Sequence, residues 1–262
     1  MYKKVIWPLL LFISMALAVV FISGFIASVA VSKSGQSAPI DPQPESSINS
    51  PADSDFILGD ASEILILGDS IGFGVGDEEN LGIGKRYLNL MAEKEEDLKT
   101  ITNISVPSYE SSELVQLIKN EENKASIAKA RLIIISIGGN DLNRLDYEDS
   151  VSLTLAFKEA LGIYKENLTI ITQEIRAINP GAQLALIGLY NPYGKEDPEK
   201  NNFVLEWNYE TSLITDSDVA FAYVPTYELF KYHLNDYLSP DEFHPNSSGY
   251  QIIAEELHRI LN

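Results

Sequence analysis

A three-layer α/β domain built on a parallel sheet is the fold class this sequence predicts, and three observations predict it. Short β-rich runs alternate with longer amphipathic stretches, the pattern of strands joined by crossover helices. Three of the early runs end in polar, turn-rich clusters: Gly68-Asp69-Ser70, Pro107-Ser108-Tyr109 and Gly138-Gly139-Asn140-Asp141. The folding part spans about 200 residues, enough to bury one core, and the whole chain of 262 residues is 45% apolar.

The elements follow in chain order. Val5 to Val31 contains no charged residue and is dense in Leu, Ile, Val, Phe and Ala. At about 1.5 Å per residue it exceeds the roughly 30 Å of a bilayer's hydrocarbon core, so residues 5–31 are expected to form a transmembrane helix. Lys3 and Lys4 precede the run and only Lys33 follows closely, which places residues 1–4 in the cytoplasm and the rest outside. A cleavable signal peptide ending near Ser28-Val29-Ala30 is the competing reading, but the run is about twice the length of a usual apolar signal region. Residues 32–60, rich in Ser, Pro, Gly, Asp and Gln, read as a flexible linker. The domain is then expected over 61–262.

Within it, strands are expected at Ile64–Leu67, Thr100–Val106, Leu132–Ile137, Gln183–Tyr190 and Val219–Val224. Helices are expected near Arg86–Leu98, Ser111–Ala130, Tyr147–Ile178, Asn201–Ile214 and Ser247–Leu261. The last shows the pattern best: Ile252, Ile253, Leu257, Ile260 and Leu261 recur at helical spacing, with Glu255, Glu256 and Arg259 between them.

Composition limits the partners. The chain has 19 Lys plus Arg against 38 Asp plus Glu, a net charge of −19, so nucleic acid is not an expected partner. It has no cysteine, which excludes disulfides, thiolate metal sites and lipid attachment through a thiol. Its three dispersed histidines are poor material for zinc, so neither metal nor cofactor is expected. Asp77, Glu78 and Glu79 are read as a solvated charge run in preference to a Ca²⁺ site. Gly72-Phe73-Gly74-Val75-Gly76 and Gly84-Lys85-Arg86 both miss the phosphate-loop spacings; the former reads as a mobile rim. Asn103, Asn167 and Asn246 open glycosylation sequons that are read as chance.

In open α/β sheets, ligands bind beyond the carboxyl ends of the strands, and the three polar clusters should converge there. Ser70, on the tight turn after the first strand, has the position of a nucleophile. His244 and Asp241, in Asp241-Glu242-Phe243-His244-Pro245, have the types and spacing of its base and orienting carboxylate. His258 reads as a solvated residue of the last helix. The N–H of Ser70, the N–H of Ser108 and the side-chain amide of Asn140 are candidate donors to an oxyanion. Phe73 and Tyr109 are candidate substrate contacts.

Gly68-Asp69-Ser70-Ile71, Gly138-Gly139-Asn140-Asp141 and Asp241-x-x-His244-Pro245 resemble blocks one, three and five of the SGNH, or GDSL, hydrolases. Ser108 stands where block two usually carries glycine. The resemblance implies a flavodoxin-like five-stranded sheet in the order 2-1-3-4-5. It also implies a metal-free serine esterase mechanism with Ser70, His244 and Asp241 as the triad, and the chain looks similar to bacterial members described as lysophospholipase-like. The expectation is therefore an extracytoplasmic, membrane-anchored esterase or lipase acting on lysophospholipid or similar acyl esters. An O-acetylesterase of cell-wall or other polysaccharide and a catalytically silent lipid- or wall-polymer-binding domain are the alternatives.

Overall fold

The computed structural model describes residues 63–92, 100–146, 148–194 and 198–262. The expected cytoplasmic tip 1–4, membrane helix 5–31 and linker 32–60 lie outside the described residues. Among those described, no helix is long and apolar enough to cross a membrane.

The domain opens with β1 (Glu63–Gly68), the single turn α1 (Ser70–Phe73), α2 (Gly82–Ala92) and β2 (Thr100–Asn103). Then come α3 (Ser111–Lys119), α4 (Glu121–Lys129), β3 (Ala130–Ser136), α5 (Gly139–Asn143), the long α6 (Ser150–Ile178) and β4 (Gln183–Ile187). The chain ends in α7 (Pro198–Thr215), β5 (Phe221–Val224), the short α8 (Tyr227–Phe230) and α9 (Leu234–Tyr237), and α10 (Ser247–Leu261). The five strands pair in parallel in the order β2-β1-β3-β4-β5, the expected sheet.

Successive strand side chains point to opposite faces, and the core divides accordingly. Leu65, Leu67, Ile133, Ile135, Leu184 and Leu186 pack on one side with Leu114 of α3, Phe157 and Leu168 of α6 and Trp207 of α7. Ile64, Ile66, Leu132, Ile134, Ala185 and Ile187 pack on the other with Ile83 of α2 and Tyr250, Ile253 and Leu257 of α10. Burying each such aliphatic side chain is worth about 1.5–3 kcal/mol, and β1, β3 and β4 collect this on both faces.

The boundaries differ from expectation for local reasons. The single helix expected over Ser111–Ala130 breaks at Asn120, whose ψ of 126° leaves the helix and whose side chain then caps Glu122 N. α6 starts at Ser150, where Asp149 and Ser152 close a capping box; the expected start, Tyr147, lies outside the described residues. β2 is shorter than expected, yet Ile104 and Val106 still donate to Ile66 and Gly68 carbonyls. This keeps the segment leading to Ser108 on the sheet edge beside the end of β1.

Candidate active site

The first half of the site grows directly from the sheet. Gly68 has φ 133°, and a Cβ there would lie 1.8 Å from the Ser136 carbonyl oxygen, so only glycine lets β1 turn this closely over β3. Asp69 caps α1: its Oδ1 accepts from Ile71 N at 3.0 Å, Gly72 N at 3.5 Å and Ser136 Oγ at 2.9 Å. Its own N–H donates to Ser136 O at 2.9 Å. Burial pushes the Asp69 carboxyl up to about 6, against the pull of the Ser136 hydroxyl and the backbone N–H groups. Ser70 is therefore the first residue of a helical turn fixed on two strands, and its N–H, at the turn's start, has no helical acceptor.

The second half is a loop that closes on itself. Leu238 and Pro245 form an antiparallel bridge, and Ser239 N donates to His244 O at 2.8 Å. Inside this clasp, Asp241 Oδ1 accepts from Ser239 Oγ at 2.7 Å and from Phe243 N and His244 N at 2.9 Å each. Asp241 Oδ2 lies 2.7 Å from His244 Nδ1, and His244 Nε2 lies 2.9 Å from Ser70 Oγ. Partial burial opposes ionisation of Asp241, but the bonds from His244, Ser239 and Phe243 prevail and hold its carboxyl well below the usual range. With Oδ2 accepting at Nδ1, Nε2 is the nitrogen turned to the Ser70 hydroxyl. The hydroxyl, imidazole and carboxylate that the sequence singled out meet in one line.

Beside Ser70 lies a cavity of about 290 Å³. Its walls are mainly apolar, with Leu142, Leu145, Leu153, Leu189, Phe203 and Val204 prominent, and Asn140, Asn143, Tyr193 and Lys200 add polar groups. Asn140 faces it near Ser70, and one of its amide N–H groups donates to Tyr109 O at 2.8 Å. Asp141, next in α5, accepts from Ser111 N and Ser111 Oγ, which ties α5 to the segment that carries Ser108. Arg144 adds bonds to Ser108 O at 3.0 Å and Glu110 Oε1 at 2.8 Å.

Several expectations change here. Phe73 and Tyr109 do not line the cavity. Phe73 is 56% exposed at the end of α1, and Tyr109 packs partly buried against the core. The wall residues come instead from α5, α6, α7 and the segment after β4, far along the chain. Ser108 holds φ 72°, the left-handed region that glycine occupies without strain. The Gly72–Gly76 stretch is no loose rim: it begins in the last half of α1, and Tyr250 Oη donates to Val75 O at 2.8 Å. Asp77, expected in a solvated run, is buried. His258 is half-buried and sits against the Tyr87 ring.

Sequence reasoning gave no role to Ser239, Asp141 or Tyr190. Tyr190 Oη donates to Phe243 O at 2.7 Å and so fixes the residue before His244. The contacts of Asp141 and Tyr190 join segments 30 to 53 residues apart, and residue type alone carries no signal for them, whereas Ser239 reaches Asp241 only two residues on. The three sequon asparagines are engaged inside the domain: Asn103 donates to Gly72 O, Asn167 to Ser111 Oγ, and Asn246 caps α10.

A serine at a helix start, an imidazole on its oxygen, a carboxylate behind the imidazole and an adjoining apolar cavity are the working parts of a serine ester hydrolase. The chain belongs to the GDSL-like lipase/acylhydrolase family, whose family model matches residues 66–252. It is 29% identical over 200 residues to the uncharacterized protein YpmR of Bacillus subtilis, covering 74% of this chain and 78% of that one. It is 27% identical over 197 residues to the spore germination lipase LipC of Bacillus licheniformis, covering 70% and 92%. Among solved structures, the lipase Lip_vut3 from a goat rumen metagenome superposes with a TM-score of 0.67 at 25% identity, over 76% of this chain and 96% of that one. An acetyl-xylooligosaccharide esterase, Axe2 of a Geobacillus, shares the fold at a TM-score of 0.60 and 20% identity, over 78% and 96%.

Proposed function

We propose that this protein hydrolyses carboxylic esters of medium or long acyl chains, of the lysophospholipid type, through an acyl-enzyme on Ser70. Ser70 Oγ attacks the ester carbonyl while His244 Nε2 takes its proton, and Asp241 holds the imidazole and stabilises its charged form. The tetrahedral intermediate collapses, the C–O bond to the alcohol breaks, and His244 returns the proton to the leaving oxygen. Water then repeats the sequence on the acyl-enzyme and releases the acid. Ser70 N–H and the Asn140 amide are the donors to the oxyanion, with Ser108 N–H as a third. Each such donor is worth about 10²–10³ in turnover.

The observation that carries this reading is the apolar cavity of about 290 Å³ beside Ser70. An acetyl group would leave most of it empty, whereas an alkyl chain would bury its surface there at about 0.8 kcal/mol per CH₂. The lipase named among the relatives supports the same substrate class. The uncharged run Val5–Val31, with Lys3 and Lys4 ahead of it, supports a single-pass anchor that holds the hydrolase outside the cell next to its lipid substrate.

The test is a chain-length series of p-nitrophenyl esters. The expected result is a kcat/KM that climbs from acetate to octanoate and drops when Leu153→Trp fills the cavity. A maximum at acetate, unmoved by that substitution, would favour deacetylation of a polysaccharide. Failure of the wild-type protein to react with a fluorophosphonate would point to a binding domain without catalysis.

A further inference from the structure

We infer that Asp77 is a positioning residue for His244, the centre of a strap that fixes the base against the nucleophile; this rests on the catalytic reading given above. The two halves of the site come from opposite ends of the domain, and the 2.9 Å contact between Ser70 and His244 needs something to hold them in register. The loop between α1 and α2 does this. Gly76 has φ 89°, and a Cβ on it would lie 2.6 Å from Pro245 O and 3.0 Å from His244 Cβ. The backbone just after the nucleophile turn is thus pressed against His244 itself.

Asp77 comes next in the chain and collects five donors. Its Oδ1 accepts from Glu79 N at 3.1 Å, Arg86 Nη2 at 2.8 Å and Ser247 Oγ at 2.7 Å. Its Oδ2 accepts from Leu81 N at 2.9 Å and Gly82 N at 2.7 Å. Ser247 lies three residues beyond His244 and opens α10, so this single carboxylate joins the nucleophile's loop to the base's helix across 170 residues. Glu78 doubles the link by accepting from Ser247 N at 2.9 Å, and its carboxylate shares the Ser247 hydroxyl at 2.8 Å. Burial opposes ionisation of Asp77, yet the bonds from Ser247, Gly82, Arg86 and Glu79 keep its carboxyl below the usual range. An amide could not replace it without turning an N–H toward other donors.

Asp77 touches neither Ser70 nor the cavity, so its loss should spare substrate binding and slow the chemistry. The experiment measures the rate of Ser70 labelling by a fluorophosphonate, per folded molecule, in the full-length protein and in Asp77→Asn, Ser247→Ala and Ser247→Thr. The p-nitrophenyl octanoate kcat and KM and the low-field proton signal of the Asp241–His244 bond are recorded alongside. The expected results are a fall of ten-fold or more in labelling rate and kcat for Asp77→Asn, with KM within two-fold. Ser247→Ala should lose about three- to ten-fold and Ser247→Thr should recover most of it, while the low-field signal broadens in the two impaired variants. Wild-type rates and an unchanged signal in folded Asp77→Asn and Ser247→Ala would overturn the inference. If in that case His244→Ala still abolished labelling, the triad would stand without the strap; if the wild type did not label at all, both would fall.

Discussion

Two carboxylates of the site, Asp69 before the nucleophile and Asp241 behind the base, occupy opposite surroundings. Asp69 is buried under the sheet edge, bonded to β3, and its carboxyl is pushed up to about 6. Asp241 has 45% of its side chain exposed, accepts three local N–H and O–H donors and a ring nitrogen, and stays ionised far below the usual range. The nucleophile's side of the site is thus an extension of the core, while the base's side is a surface loop organised by short-range hydrogen bonds. Changes on the first side should act on stability and its pH dependence, and changes on the second on turnover.

The largest effect that would sharpen this contrast is loss of the base. His244→Ala should reduce kcat on the order of 10⁶-fold, measured with a p-nitrophenyl ester, and a combined Ser70→Ala, His244→Ala variant should be little worse than either alone. Asp241→Asn keeps the shape of the loop but misassigns the imidazole proton. A loss of about 10⁴-fold in kcat is expected, with a urea midpoint close to that of the wild type. A midpoint that collapsed with activity would break the comparison, because the loop would then be part of the core.

Asp69→Asn tests the buried side. Asp69 binds its proton more tightly in the folded chain than at its ordinary value of 3.8. Its contribution to stability is therefore fully present below about pH 3.8 and lost as pH rises through about 6. The difference in unfolding free energy between wild type and Asp69→Asn should decline over that interval by up to about 3 kcal/mol. Asp241 slopes the other way: its stabilisation exists above its ordinary value and fades as pH falls, and solvent screening at 45% exposure keeps that small. Urea unfolding at a series of pH values measures both.

The smallest effect concerns Ser108. Its left-handed backbone costs a non-glycine residue about 1 kcal/mol. Ser108→Gly should leave kcat near the wild-type value and raise unfolding free energy by about 0.5–1 kcal/mol, part of the relief being offset by glycine's greater freedom in the unfolded chain. A large loss of activity would mean that the Ser108 hydroxyl, not its backbone, takes part.

What could be read in advance was local. Ile64–Leu67 leading into Gly68-Asp69-Ser70 is a strand and a turn within seven residues, and Asp241 reaches His244 within four, so the chain itself carries both halves of the triad. The apolar stripe of Ser247–Leu261 likewise foretold α10. The break at Asn120 was hidden because helical periodicity runs on through it; only the backbone turn and the cap reveal two helices. Phe73 was expected at the substrate because it neighbours Ser70 in sequence, yet α1 leaves it facing solvent.

The sequence by itself determined the order of strands and helices, the identity of the reacting side chains and the spacing of Asp241 from His244, since each depends on residues adjacent in the chain. Tertiary structure alone decided the 2.9 Å approach of His244 to Ser70, the apolar cavity assembled from α5, α6 and α7, and the burial of Asp77 among donors from three segments. These depend on distances between elements many residues apart, which follow from how the two faces of the sheet are packed and from no single stretch of chain.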